Sequence, residues 1–203
     1  RNSILADKLG CRLVTVETNF WAYMKDLKIN RPMNHGSCLA SIGQLLAYAT
    51  VYVPSTYSYN NLHAWGSHPL TDHLWSTETT QFIHDGAEAE RTEKTETLAR
   101  ADASLFEQLV VCWRDPNVNC GVCSKCQRTM ACLKILGVDA PSFPHEITLR
   151  ELKRIWILPG DRSYWEDNIK LAEKRGRQDI ISAIRVSLFR YRLRQIKNFL
   201  LGL

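Results

Sequence analysis

The spacing of hydrophobic residues changes repeatedly in the first quarter of the chain, and these changes predict alternating helices and strands. Residues 2–9 predict a short helix that Gly10 ends. Residues 12–17, Arg-Leu-Val-Thr-Val-Glu, predict a buried strand because they are rich in β-branched side chains. Apolar residues recur about every 3.6 positions over 37–50, which predicts a helix, and residues 51–53 predict a second strand. This alternation is typical of an α/β fold with a parallel sheet and crossover helices.

The middle of the chain is more polar, and its pattern is weaker. Residues 57–76 predict a loop, residues 76–84 one or two helical turns, and residues 88–103 a charged helix. Residues 109–111 predict a strand that runs into Cys112. The pattern therefore predicts that the α/β region extends over residues 1–111.

Helical periodicity dominates the remainder. Residues 128–137 predict a helix closed by Gly137, and the turn formers of residues 138–148 predict a hinge. Three more helices are predicted at 148–156, about 161–175, and 177–200. We therefore expect a cysteine loop with its following helix at 112–137 and a helical extension at 138–203.

Composition and charge restrict the class of protein. The 203 residues are 45% hydrophobic and 23% charged, as in ordinary globular proteins, and no apolar run approaches the length that spans a bilayer. The chain shows no charged-then-apolar leader, so we expect a cytoplasmic protein. Residues 150–203 hold 13 Lys and Arg against 6 Asp and Glu, which places the basic excess at the C-terminus.

The last predicted helix is basic and amphipathic. Its apolar stripe consists of Ile181, Ile184, Leu188, Tyr191, Gln195 and Phe199. One interpretation is a packed helix with a solvated basic face. The others are RNA-phosphate binding through residues 150–198 and attachment to an anionic membrane surface, assisted by Trp156, Trp165 and Phe199. The sequence leaves the oligomeric state open, a homodimer included.

Four of the seven cysteines are spaced C-x7-C-x2-C-x2-C, and this is the clearest chemical signal in the chain. They are Cys112, Cys120, Cys123 and Cys126. Four thiolates complete a tetrahedral site, which favours structural Zn²⁺, with an iron–sulfur cluster or a thioredoxin-like redox pair as alternatives. Cys11, Cys38 and Cys132 lie among apolar residues and are expected to be small buried hydrophobes.

Polar side chains follow the predicted strands. Glu17, Asn19 and Ser55 come at strand ends, which in parallel α/β sheets often contact ligands, although Glu17 and Asn19 also suit strand-end capping. Asp72, in a loop rich in His and Pro, is a candidate for binding Mg²⁺ or positioning a carboxylate substrate, together with His84 and Asp85. Each histidine taken alone is more typical of a surface or turn position.

Arg91 and Lys94 lie one turn apart at the start of the helix predicted at 88–103. At this spacing both cations can face one phosphate or carboxylate ligand. Their alternative partners are the nearby acidic residues Glu88, Glu90 and Glu93.

The segment from Val111 to Arg128 resembles the zinc loop of the 7-cyano-7-deazaguanine synthase family, which has the same cysteine spacing and Gly after the second Cys. That family belongs to the PP-loop ATP pyrophosphatases, which adenylate their substrates. Residues 6–16 are similar to its second helix and strand, and Lys94 lies where the family places a Lys. The resemblance covers about residues 2–136. It implies an adenine-nucleotide α-hydrolase-like fold, ATP and Mg²⁺ as cofactors, and a partial nucleotide-binding domain at 1–111.

The phosphate-binding loop of that superfamily, Ser-Gly-Gly-x-Asp-Ser, does not occur in these 203 residues. Because the chain begins at Arg1 without Met, one explanation is that the loop precedes Arg1 in a longer protein. The other is that the domain does not bind ATP. From the resemblance we expect an ATP-dependent adenylating enzyme acting on a small carbonyl or carboxylate substrate. The alternative is a non-catalytic zinc-stabilised module that binds RNA through its basic helices.

Overall fold

The computed structural model describes residues 1–202 and has a mixed α/β fold. The helices are α1 (Asn2–Lys8), α2 (Phe20–Asp26), α3 (Arg31–Leu45), α4 (Arg91–Ala101), α5 (Ser124–Leu136), α6 (Leu149–Leu152), α7 (Arg162–Lys174) and α8 (Gln178–Leu201). The strands are β1 (Thr50–Pro54) and β2 (Gln81–Asp85). Short 3-10 turns occupy Tyr59–Asn61, Asp72–Trp75, Ala103–Gln108 and Pro159–Asp161.

The chain divides into two compact units. Residues 1–13 and 91–202 form the first, which we call the helical unit. Residues 14–90 form the second, the sheet unit. The sequence-based division at residues 111 and 137 stays a prediction.

The sheet unit contains a parallel pair of strands. β1 and β2 pair from Thr50 opposite Gln81 to Pro54 opposite Asp85, so the predicted parallel arrangement and the strand at 51–53 are confirmed. The helical turns predicted at 76–84 are wrong, because this segment contains β2. The short run Gln-Phe-Ile-His-Asp becomes a strand by pairing with β1, which a local pattern does not reveal.

Two other predicted strands are wrong. Residues 11–19 and 109–112 lie in irregular backbone. Leu13, Val14 and Val16 are exposed, so the first run buries none of the apolar surface that its composition suggested. β-branched residues favour extended backbone, but a strand also needs a neighbour to accept its hydrogen bonds.

All but one of the predicted helices are confirmed, with shifted ends, whereas the one expected at 148–156 is helical only over the four residues of α6. The helix expected at 37–50 is α3, which begins at Arg31 and ends at Leu45. The helices expected at 2–9, 88–103, 128–137, 148–156, 161–175 and 177–200 correspond to α1, α4, α5, α6, α7 and α8. Gly10 and Gly137 follow α1 and α5 with φ of 63° and 67°, a left-handed conformation that glycine adopts at little cost.

The helical unit buries one continuous apolar core. α7 packs against α4, α5 and α8, and α6 packs against α8. The fully buried large side chains of this core are Trp165, Phe106, Ile147, Leu152, Ile157, Ile180, Ile181 and Ile184. Ser187 adds a buried hydrogen bond from its hydroxyl to the carbonyl of Leu152, at 2.7 Å, which joins α8 to α6.

The stripe predicted on α8 is confirmed in its first half. Ile181, Ile184, Leu188 and Tyr191 are buried. Phe199, in contrast, is exposed, so the prediction that it belongs to the packed face is wrong. The core-facing side of α8 ends near Tyr191, and the last ten residues of the helix extend past the core.

Candidate metal centre

The four cysteines predicted as metal ligands come together in the helical unit. One sulfur from each of Cys112, Cys120, Cys123 and Cys126 lies within 4.8 Å of the others. The sulfurs of Cys112 and Cys123 are 3.9 Å apart. A tetrahedron with metal–sulfur bonds of about 2.3 Å has edges of roughly 3.8 Å, so this spacing fits one four-coordinate ion.

Gly121 lets the loop turn between the second and third cysteines. Its φ is 72°, and a Cβ atom at this position would lie 2.8 Å from Cγ of Pro144. After this turn, the backbone N–H of Cys123 donates to the sulfur of Cys120 at 3.3 Å. The N–H of Cys126 in turn donates to the sulfur of Cys123 at 3.5 Å. These donors favour thiolates, and Cys123 also sits at the N-terminus of α5, where the helix dipole favours negative charge.

Asn119 positions the first ligand relative to the loop. Its buried amide oxygen accepts from the backbone N–H groups of Val111 and Cys112, at 2.9 and 3.3 Å. Its amide nitrogen donates to the carbonyls of Leu109 and Ser142, at 2.8 and 3.1 Å. The side chain thus joins the segment before Cys112 to the loop that holds the other three cysteines. Asn119 was not among the candidate residues of the sequence analysis, although its position directly before Cys120 was an available signal.

Cationic side chains surround the cluster. Arg128 is buried, stacks 3.8 Å above the ring of Tyr164, and donates to Asp161 at 3.1 Å. Burial lowers the pKa of Lys125, and the positive charges of Arg128 and Arg91 lower it further. Four thiolates around a divalent ion leave a net negative charge, which these neighbouring cations offset.

The thiols of the four-cysteine cluster differ in their pKa. Burial opposes ionisation of Cys112, but hydrogen bonds from the backbone of Cys120 and Asp115, among others, outweigh it and lower its pKa to about 6. For Cys126, burial and the neighbouring Cys123 raise the pKa well above its usual range. A metal ion must therefore displace protons from some of these thiols when it binds.

The four-sulfur set defines the kind of site. Four sulfur donors with no carboxylate or imidazole suit a soft or borderline ion and leave no open position for substrate. The arrangement fastens the segment before Cys112 to the start of α5, and Cys123 and Cys126 belong to the apolar core. The geometry fits a structural metal centre.

Outside this cluster, the cysteines are partly as predicted. Cys38 and Cys132 are buried, and burial raises the pKa of the Cys132 thiol to about 12. Cys11 is exposed, so the prediction that it is a buried hydrophobe is wrong. It lies in the irregular segment that was expected to form a strand.

Arg91 and Lys94, the predicted phosphate or substrate contacts, both lie in the first turn of α4. Arg91 is exposed, with its guanidinium 5.8 Å from the ring centroid of Tyr164, while Lys94 is half-buried. Arg128 stacks on the same ring, so Arg91 lies near Arg128, and its positive charge also lowers the pKa of Lys125. Sequence reasoning did not identify Tyr164 or Asp161, which lie more than thirty residues after the cysteine loop.

The sheet unit contains the remaining predicted site residues. Ser55 directly follows β1, and its backbone N–H donates to the carbonyl of Asp85 at the end of β2, at 2.8 Å. Both strands therefore end at the same edge, as parallel pairing requires. Glu17 and Asn19 are exposed in the irregular segment before α2, and the side chain of Asn19 makes no cap hydrogen bond.

Asp72 lies at the centre of a buried polar cluster in the sheet unit. Its carboxylate accepts from the hydroxyl of Ser67 at 2.7 Å, the backbone N–H of His68 at 3.0 Å, and Nδ1 of His84 at 2.7 Å. With three donors, the carboxylate holds the 67–72 loop against the end of β2. It also fixes the ring of His84, whose buried Nε2 has no hydrogen-bond partner among the described residues.

Gly36 and Gly66 allow this loop to lie close to α3. The N–H of Gly66 donates to the carbonyl of Pro32 at 2.9 Å, and a Cβ atom at Gly36 would overlap the carbonyl of Gly66. The loop that contains Asp72 therefore lies against α3 at Gly66 and is joined to β2 through His84. A first role for Asp72 is to hold this loop in place.

No protein-family model, curated protein or solved structure matches this chain. Among the described residues, none of the helices is both long enough and apolar enough to cross a membrane.

Proposed function

We propose that this protein is an ATP-dependent adenylating enzyme, or the larger part of one, with a structural Zn²⁺ centre in its cysteine loop. The observation that supports the proposal most is the cysteine loop itself. Its C-x7-C-x2-C-x2-C spacing resembles that of one PP-loop family, and its four sulfurs lie within 4.8 Å of one another.

The sheet unit offers a second, coarser support. In open parallel sheets, ligands bind beyond the carboxyl ends of the strands. β1 and β2 end together at Ser55 and Asp85, and the loops that follow are rich in polar side chains. Ser55 is the candidate residue at this edge, whereas Glu17 and Asn19 lie in irregular backbone before α2 and their contact with a nucleotide stays a sequence-based prediction.

The proposed chemistry needs positioning and charge compensation more than covalent catalysis. An oxygen of the carbonyl or carboxylate substrate attacks the α-phosphorus of ATP. The bond from that phosphorus to the oxygen that bridges it to the β-phosphate breaks, and pyrophosphate leaves. A nitrogen or sulfur nucleophile then displaces AMP. Mg²⁺ and cationic side chains offset the phosphate charge, and we assign this role in the helical unit to Lys94, with Arg91 as a neighbouring cation.

Product analysis on the protein translated from its complete reading frame tests the proposal. Incubation with ATP, Mg²⁺, a panel of small carboxylates and an ammonium or sulfide nucleophile should give AMP and pyrophosphate, whereas a kinase or a simple ATPase gives ADP. Lys94→Ala should reduce AMP formation about 100-fold or more, the usual effect of removing a charge-stabilising group. Lys153→Ala, an exposed lysine in the same unit, is the matched control.

An absence of ATP binding by the complete protein would contradict the enzyme. AMP formation that Lys94→Ala leaves unchanged would contradict the role assigned to Lys94, but not the enzyme. Loss of ATP binding with retention of the metal would favour the zinc-stabilised binding module. Salt-dependent affinity for single-stranded RNA, lowered by removing cations in residues 150–198, would then identify its ligand.

A further inference from the structure

α8 is apolar on two opposite sides. One side faces the core through Ile181, Ile184, Leu188 and Tyr191. On the opposite side, a second apolar row remains exposed to solvent, and its members are between 42% and 75% exposed. This row consists of Val186, Phe189, Leu193, Ile196 and Leu200. Five large apolar side chains in one exposed row are more than isolated surface residues.

The spacing of this row is that of a coiled-coil seam. Successive members are separated by three, four, three and four residues, which is the heptad pattern of positions a and d. From Val186 to Ile196 the row is confined to a and d positions, which makes it narrower than the apolar face of a helix that packs on a globular core or lies in a membrane, and exposed Phe199 and Leu201 broaden it only at the end of the helix. The pattern therefore indicates another α-helix as the occupant.

The residues beside the row are almost uniformly basic. The positions that flank an a/d seam, e and g, are occupied by Arg185, Arg190, Arg192, Lys197 and Phe199. After Asp179, residues 180–203 contain no Asp or Glu. Arg192 and Lys197 are exposed and have no ion-pair partner among the described residues.

This charge pattern disfavours pairing with a second copy of the same helix. In a parallel pair, Arg192 at a g position would face Lys197 at the next e position of the other copy. An antiparallel pair would also bring cations together, because both flanks are basic. A partner helix with Glu or Asp at its own e and g positions turns each repulsion into attraction.

We propose that the outer face of α8 is a docking surface for an amphipathic, acidic α-helix of a partner protein. The partner places its apolar a and d residues along the exposed row and its acidic flanks beside Arg192 and Lys197. The core holds α8 up to Tyr191, and Arg194 adds a hydrogen bond to the carbonyl of Ile157 at 2.8 Å, so most of the conformational entropy lost on binding belongs to the partner segment. This inference is independent of the proposed adenylating activity.

Two synthetic three-heptad peptides test the surface on the intact chain. Both carry Leu and Ile at a and d, one with Glu and the other with Lys at every e and g position. The acidic peptide should bind at least about tenfold more tightly than the basic one, and higher salt should weaken it. The double variant Arg192→Glu and Lys197→Glu should abolish this preference, because Arg185 and Arg190 then balance the two new carboxylates.

Two variants distinguish binding along the exposed apolar row from general electrostatic attraction. Leu193→Gln should remove binding of the acidic peptide, because it places an amide in the centre of the seam. Asn198→Asp, which changes charge outside the seam, should leave the affinity within about twofold. Metal content and helicity measured by circular dichroism confirm that each variant is folded.

Four results would overturn the proposal. Equal affinity for both peptides, or no binding of the acidic one, removes the charge complementarity. A doubled mass in solution that Leu193→Gln reverses assigns the face to a second copy. Partition onto vesicles of phosphatidylcholine with phosphatidylserine, without peptide binding, assigns it to an anionic membrane. Affinity for single-stranded RNA that Leu193→Gln leaves unchanged, without peptide binding, assigns the basic flanks to nucleic acid.

Discussion

The helical unit and the sheet unit are stabilised by different kinds of contact. The helical unit buries a continuous apolar core around Trp165 and adds a four-cysteine site at its edge. The buried apolar cluster of the sheet unit consists of Ala40, Val53 and Phe82, with Val51 partly buried beside it. Such a small core supplies little of the hydrophobic free energy that a compact unit needs.

Polar and aromatic contacts replace part of that core in the sheet unit. Asp72 collects three hydrogen bonds, and the Glu90 carboxylate accepts from the hydroxyl of Ser58 at 2.6 Å. The rings of Tyr57, His63 and Trp65 meet edge to face, with centroids 4.9 to 5.7 Å apart. Directional contacts of this kind fix loops in place, but each contributes only about 1 kcal/mol net. We therefore expect the sheet unit to open more easily than the helical unit.

The largest expected effect is loss of the metal site. Cys123→Ser removes a buried ligand from the core of the helical unit, so the bound metal should be lost. The free energy of unfolding of that unit should fall by about 4 kcal/mol or more. Elemental analysis and thermal unfolding of the purified protein measure both effects.

Cys11→Ser is the matched control, because Cys11 is exposed and lies outside the cluster. It should keep one metal per chain and a wild-type melting temperature. Equal metal content in the Cys123→Ser variant would contradict the four-thiolate site. When Zn²⁺ is added to the metal-free protein, amide hydrogen exchange should slow in the helical unit and stay the same in the sheet unit. This result would show that the metal stabilises only the helical unit.

The second largest effect should occur in the sheet unit. Phe82→Ala removes the largest member of its small core and leaves a space beside Gly43, where α3 approaches the ring closely. We expect a loss of about 3 kcal/mol, seen as faster amide exchange within residues 14–90. Tyr52→Ala in β1, where the side chain is 64% exposed, should cost less than about 0.5 kcal/mol. Equal exchange rates for these two variants would show that the small core does not stabilise the unit.

Sequence alone identified the cysteine site because its geometry is encoded locally. All four ligands lie within fifteen residues, and a Gly follows the second Cys where the chain must turn. Helices were also predictable, since their hydrogen bonds and apolar periodicity are local. Strands were not. The run at 12–17 has strand composition without a partner, whereas β2 becomes a strand only by pairing with residues about thirty positions earlier.

The same distinction applies to the buried polar clusters. Asp72 was singled out, but its donors come from the loop and from His84 on β2, and only the fold brings them together. Arg128 lies two residues after Cys126 in the sequence, yet its stacking on Tyr164 depends on how α7 packs against α5. Sequence patterns thus indicated which residues carry charge, and the packing determined which of them meet.

A glycine series gives the third effect and tests the turn in the cysteine loop. Gly121→Ala combines a left-handed φ of 72° with a Cβ contact of 2.8 Å to Pro144, so we expect a loss of about 2 kcal/mol and weaker metal affinity. Gly137→Ala has a φ of 67° but open space around the added atom, and should cost about 1 kcal/mol. Gly160→Ala lacks both features and should be nearly neutral. Denaturant unfolding in the presence of Zn²⁺ ranks the three, and an equal cost for all of them would contradict the strained turn.

The smallest expected effect belongs to Glu96, a buried carboxylate of α4 that joins this helix to α7. It accepts from Arg100 at 2.8 Å, from Lys174 at 3.2 Å and from Arg175, three cations that are themselves largely exposed. Glu96→Gln should lower the free energy of unfolding by about 1–2 kcal/mol at neutral pH, because solvent screens the cationic partners. Glu173→Gln, which removes an exposed pair with Arg185, should cost less than about 0.5 kcal/mol.

The pH dependence of Glu96 separates its charge from its packing. Hydrogen bonds from Arg100 and Arg175 lower its pKa from 4.5 to about 2, against the opposing effect of burial. Since the folded-state pKa is depressed, the stabilisation is complete above pH 4.5 and is lost as the pH falls towards 2. The difference in unfolding free energy between wild type and Glu96→Gln should therefore be constant near neutrality and shrink across that interval. A difference that does not change between pH 6 and pH 3 would mean that shape, and not charge, makes Glu96 stabilising.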